Sequence, residues 1–136
     1  MRLVIDSNEY IFAFGPARAD ASLKLLEKLL ETRASHIVRI PRTIIAEVKR
    51  NIHPAQVLEF MAFINAFTII DEDFFVPFEI GVRYEAMGLK EADALIAAYA
   101  EWVGADVLVT ENRHFLSRNP NLPFKVLTAE KCLKFI

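Results

Sequence analysis

Asp93 lies in the run Leu89-Lys90-Glu91-Ala92-Asp93-Ala94-Leu95-Ile96-Ala97-Ala98-Tyr99-Ala100, on the apolar side of the buried helix this run predicts. An unpaired carboxylate in that setting costs several kcal/mol of desolvation, so a positive group is expected opposite it. A metal ion fits, because other acids stand at the ends of other apolar elements. Asp6 follows Leu3-Val4-Ile5, Glu47 lies within Ile44-Ile45-Ala46-Glu47-Val48, and Glu111 and Asn112 follow Leu108-Val109-Thr110. These positions are 41, 46 and 18 residues apart in the chain, so a fold must gather them. In an open α/β sheet ligands bind beyond the carboxyl ends of the strands, which would bring Asp6, Glu47, Asp93 and Glu111 or Asn112 to one rim. Such carboxylates repel one another without a cation, and hard oxygen ligands select Mg²⁺ or Mn²⁺ over Zn²⁺. These are ions of phosphoryl chemistry.

Each acid also has a plainer reading. Asp6 suits a helix cap, and Glu47 and Asp93 suit first-turn acids that meet a helix dipole. Taken together, the acids favour the cluster. The run Asp71-Glu72-Asp73 reads instead as a solvated loop, as like-charge runs usually are. Arg39, Arg42, Lys49 and Arg50 surround Glu47 in sequence and suit either a phosphate track or a solvated basic face.

Other chemistries lack their residues. His36, His53 and His114 have no zinc spacing, and Cys132 is alone. No serine sits in a nucleophile elbow, and four glycines form no phosphate loop. An Asp after the first strand also marks phospho-acceptor domains. Those require a further acid near it and a Lys after a late strand, whereas here Asn8 stands two positions on and Lys125 precedes its strand.

The elements that must position the acids alternate in type. Strands are predicted at Leu3–Ile5, His36–Pro41, Phe67–Ile70, Ala105–Thr110 and Lys125–Leu127 from short apolar runs. Helices are predicted over Ala21–Leu30, Thr43–Lys49 with Thr43 as N-cap, Pro54–Ala66, Pro77–Met87, the Asp93 segment to Trp102, and Thr128–Phe135. Gly88 and Gly104 act as helix stops, and 111–123 reads as a loop. The expectation is a three-layer α/β/α fold with a central parallel sheet, formed by residues 1–136 as one domain.

With 136 residues, 54% of them hydrophobic, and eleven Phe, the chain can build a dense core or leave an apolar patch for a partner. Its longest apolar stretches fall far short of the ~20 residues that span a bilayer, so no membrane association is expected. Asp6 interrupts the N-terminal apolar run too early for a secretory leader, and the single cysteine suits a reducing, cytoplasmic setting. A net charge of −2 argues against nucleic-acid binding by bulk positive field but not against an enzyme whose acids carry cations.

The motifs in this order resemble PIN domains. Val4-Ile5-Asp6-Ser7-Asn8 resembles their opening Asp-x-Asn turn, Glu47 their second acid, and Ala92-Asp93-Ala94-Leu95-Ile96-Ala97-Ala98 the stretch with the third, as in VapC-type toxins. Leu108-Val109-Thr110-Glu111-Asn112-Arg113-His114-Phe115 is similar to the segment that bears the fourth. Many relatives have Asp where Asn112 stands. The resemblance implies a Mg²⁺- or Mn²⁺-dependent endoribonuclease with Asp6, Glu47, Asp93 and Asn112 as its catalytic set. It further implies Asp6, Glu47, Asp93 and Glu111 as metal ligands, with Ser7, Asn8 and Thr110 orienting them. It also implies RNA as substrate, an antitoxin that inserts into an apolar groove and blocks the site with a basic side chain, and a homodimer. A stand-alone RNA-processing nuclease and a catalytically weak RNA-binding PIN domain are the alternatives.

Overall fold

The computed structural model describes residues 1–16, 19–117 and 121–136. The chain alternates strand and helix, with helices at Ser7–Phe14 and Arg113–Ser117 that the sequence did not predict: β1 (Arg2–Ile5), α1 (Ser7–Phe14), α2 (Asp20–Glu31), β2 (Ile37–Pro41), α3 (Arg42–Asn51), α4 (Pro54–Phe67), β3 (Thr68–Asp71), α5 (Phe78–Ala86), α6 (Glu91–Trp102), β4 (Val107–Val109), α7 (Arg113–Ser117), β5 (Lys125–Leu127) and α8 (Ala129–Phe135). The strands form one parallel sheet in the order β3-β2-β1-β4-β5. Helices cover both faces in three α/β/α layers. Leu3, Val4, Ile5, Val107, Leu108 and Val109 are wholly buried, which explains their continuous apolar runs.

The strand order makes β1 central. The chain leaves it for β2 and β3 on one side and returns to its other side with β4 and β5. That reversal opens a crevice beyond the carboxyl end of β1, where a parallel sheet accepts ligands. The pairing Ile5↔Val109 brings the next residues, Asp6 and Thr110, side by side. The Asp6 N–H donates to Val109 O at 2.8 Å, and the Thr110 N–H to Leu127 O at 2.9 Å.

The helices form for local reasons. In α2, Leu25, Leu26 and Leu29 are buried while Lys24, Glu27 and Glu31 face water. Pro54 opens α4 behind His53, whose Nδ1 accepts from the Ala55 N–H at 3.0 Å. Gly88 and Gly104 adopt φ of 99° and 68°, the left-handed conformation that ends α5 and α6.

Three local expectations are corrected. Thr43 does not cap α3, which begins at Arg42 after Pro41; its N–H and hydroxyl donate to Asp73 at 2.9 and 2.5 Å. The Asp71-Glu72-Asp73 run is not a free solvated loop. Asp71 ends β3 and accepts from Arg39 Nε and Nη2 at 2.9 and 2.6 Å and from Tyr99 Oη at 2.6 Å, while Glu72 pairs with Arg42 at 3.1 Å. Burial pushes the Asp71 carboxyl up, but the bonds from Arg39 and Tyr99 and the Arg39 charge outweigh it and hold it below its ordinary range. The expected loop 111–123 contains α7, and its residues 118–120 lie outside the described residues. Among the described residues no helix is long and apolar enough to cross a membrane.

Candidate functional site

Asp6 sits at the switch point, where β1 turns into α1. Its carboxylate is held on both oxygens: Oδ1 accepts from the Ser7 N–H at 2.8 Å and Oδ2 from the Thr110 hydroxyl at 2.8 Å. Asp6 therefore caps α1 and also points across to β4, so the cap reading and the cluster reading coexist. Thr110, wholly buried, accepts in turn from the Asn112 N–H at 3.0 Å.

The Asn112 side chain is fixed at both ends. Its Nδ2 donates to Asp93 Oδ1 and its Oδ1 accepts from the His114 N–H, both at 3.0 Å. The second bond starts α7, which is why this segment turns helical. Asp93 stands in the first turn of α6, where the helix dipole favours an acid. Glu47 reaches the same crevice from α3, and its half-buried carboxylate makes no hydrogen bond or ion pair among the described residues.

Asp6, Glu47, Asp93 and Asn112 line one cavity of about 480 Å³, together with Ser7 and Asn8. Burial raises the Asp6 carboxyl above its ordinary range; the bonds from Thr110 and Ser7 oppose this, and the charges of Glu47 and Asp93 push it up further. The N-terminal turns of α1, α3 and α6 all open on this cavity, and their dipoles favour an anion beside the acids. The acids are not drawn into a closed ligand set: among the described residues no three His, Cys, Asp or Glu side chains already surround one point. The donor chemistry fits a hard divalent ion, since the carboxylates of Asp6, Glu47 and Asp93 line the acidic end and the half-buried Glu47 has no partner cation among the described residues.

Glu111 goes elsewhere. Neighbours in extended chain point apart, and its Oε2 accepts from the Ala129 N–H at 2.9 Å, at the start of α8. Its carboxylate is committed to capping and does not line the cavity. Of the four basic residues near Glu47 in sequence, Arg39 and Arg42 are bound to Asp71 and Glu72, while Lys49 and Arg50 are exposed in the last turn of α3.

Sequence reasoning missed Glu9. This residue is wholly buried on α1, with Ser22 Oγ donating to its Oε2 at 2.7 Å. Burial beside Glu111 pushes its carboxyl up to about 9. The signal was present, since Glu9 shares a face with Ala13 four residues on. Tyr99, which lines the cavity and holds Asp71, was likewise passed over as core.

A doubly wound parallel sheet with acids gathered at its switch point defines a class of fold and site, and the comparisons place it. The PIN-domain family model matches residues 3–119, and the chain belongs to that family. Membership supports nuclease activity. Among solved structures, a chain of "VapBC2 from Rickettsia felis bound to a DNA fragment from their promoter" superposes with a TM-score of 0.63 at 23% identity, covering 93% of this chain and 97% of that one. At that identity the likeness speaks for the fold. No curated protein matches the sequence.

Proposed function

We propose that the protein is a Mg²⁺- or Mn²⁺-dependent endoribonuclease and the toxin of a toxin–antitoxin pair. The observation that carries this reading is the convergence of Asp6, Glu47 and Asp93 on one cavity from β1, α3 and α6. When bound there, a divalent ion supplies Lewis-acid polarisation of the phosphate and a water of lowered pKa. Asp6, Glu47 and Asp93 hold it, and Ser7 N–H and the Thr110 hydroxyl fix the Asp6 carboxylate toward it. Asn112 orients Asp93 through its amide. The exposed Asn8, at the α1 N-terminus, lines the rim where an RNA phosphate would lie.

The toxin setting draws on the family, on the likeness to VapBC2, and on the apolar end of the cavity. Val76, Pro77, Phe78, Val82 and Leu95 line it, and Phe78 and Leu95 are 82% and 55% exposed. This surface suits an inserted antitoxin segment, and a basic side chain on that segment would reach the acids. A homodimer and a cytoplasmic location belong to the same reading.

The test is cleavage of single-stranded RNA by the purified chain with Mg²⁺, Mn²⁺ or excess EDTA. Cleavage is expected only with metal; undiminished cleavage in EDTA would sink the metal mechanism, and metal binding without cleavage would favour an RNA-binding PIN domain.

A further inference from the structure

Glu9 has no part in the chemistry described above, although it lies buried one turn beyond Asp6. Its Oε2 is satisfied by Ser22, its Oε1 accepts no hydrogen bond among the described residues, and the Glu111 carboxyl group adjoins it. A wholly buried carboxylate that faces a second carboxyl group does not stay charged. A proton on Glu9 turns its unsatisfied acceptor into a donor toward Glu111. The proton belongs on Glu9, the wholly buried member of the pair, while Glu111 accepts the Ala129 N–H at the start of α8.

Glu111 lies between Thr110, which holds Asp6, and Asn112, which holds Asp93. Successive residues of an extended segment face opposite ways, so anchoring Glu111 on one side fixes its two neighbours on the other. We propose that Glu9, as the neutral acid, is a positioning residue: by donating to Glu111 it joins α1, α2 and α8 to the Thr110–Asn112 segment and holds that segment against Asp6 and Asp93. The inference deepens the nuclease reading and rests on it for the kinetic test alone.

Two variants separate this role from plain packing. Glu9→Gln keeps an acceptor for Ser22 and an N–H donor for Glu111, while Glu9→Leu fills similar volume and offers neither. In the full chain with chelator, Glu9→Leu is expected to speed amide hydrogen exchange at Asn112 by about tenfold, and Glu9→Gln to leave it within about twofold. With RNA, Glu9→Leu is expected to lower kcat by about tenfold at unchanged KM, and Glu9→Gln to restore it. Infrared spectra of wild type and Glu9→Gln at neutral pH should differ by one protonated carboxyl band, a readout that holds even if Glu9→Leu does not fold.

Wild-type exchange and kcat in Glu9→Leu, a Glu9→Gln variant as impaired as Glu9→Leu, or the absence of that band would overturn the proposal. A wild-type protein that cuts no RNA would instead count against the nuclease reading, and the exchange and infrared results would still decide the role of Glu9.

Discussion

Asn112 donates an N–H to Asp93, which a carboxylate in its place would not do. Asn112→Asp therefore sets two acids together, at a cost on the order of 1 kcal/mol to the metal-free protein in this half-exposed setting. The variant should melt lower in chelator and reach half-maximal cleavage at lower Mn²⁺, since divalent affinity rises with ligand charge. Glu111→Gln should leave the Mn²⁺ dependence unchanged, because Glu111 faces α8. Glu9 also gives a signed pH dependence. Its folded carboxyl titrates near 9 against 4.5 for the free group, so between those values the folded state holds the extra proton. Stability is then fully present below the lower value and is lost as pH rises toward 9, with a slope approaching 1.4 kcal/mol per pH unit, a figure of about one proton's linkage. Asp6, raised by burial, acts in the same direction above its own ordinary range. Urea unfolding of the metal-free protein from pH 5 to about 9 should show the decline, and Glu9→Gln should flatten it; equal slopes in both proteins would exclude Glu9 as its source.

At the scale of elements, the clasp between β2, β3 and α6 stands out. Asp71 binds Arg39 and Tyr99 with its side chain only 11% exposed. Asp71→Ala leaves a guanidinium and a phenol without their partner and should cost about 3 kcal/mol in urea unfolding; a loss within experimental error would mean that the pair contributes nothing net. Gly81 works the other way. It lies inside α5, and beyond its own helix backbone a Cβ there would meet no atom of the described residues within 4 Å, so Gly81→Ala should stabilise the protein by roughly 0.4–1 kcal/mol. A lower melting temperature for Gly81→Ala would show that the free space is needed. The elements were legible where apolar runs or turn residues mark them: the five strands, the Leu-rich α2, and the stops at Gly88 and Gly104. The acidic run 71–73 was misread because its partners Arg39, Arg42, Thr43 and Tyr99 lie 28 to 32 residues away, and no local pattern announces a long-range ion pair. Five-residue α7 was missed for a related reason, since it starts from the Asn112 side chain rather than from apolar spacing.

For the whole molecule, alternation of strand and helix carried the parallel sheet, and the order of the acids carried the family. That Asp6, Glu47 and Asp93 share a cavity followed from the rule that sites lie beyond strand ends at a switch point. The choice between Glu111 and Asn112 did not follow, because it turns on which way two adjacent side chains face, and that is set by the register of β4 and the cap of α8. The most direct measurement is a Mn²⁺ titration of the full chain, following free Mn²⁺ by electron paramagnetic resonance, for wild type, Asp6→Asn, Glu47→Gln and Asp93→Asn. A saturable site is predicted in wild type, weakened about tenfold or more in each variant by loss of one charged ligand. No saturable binding in wild type, or wild-type affinity in all three variants, would contradict the assignment of these acids to the ion.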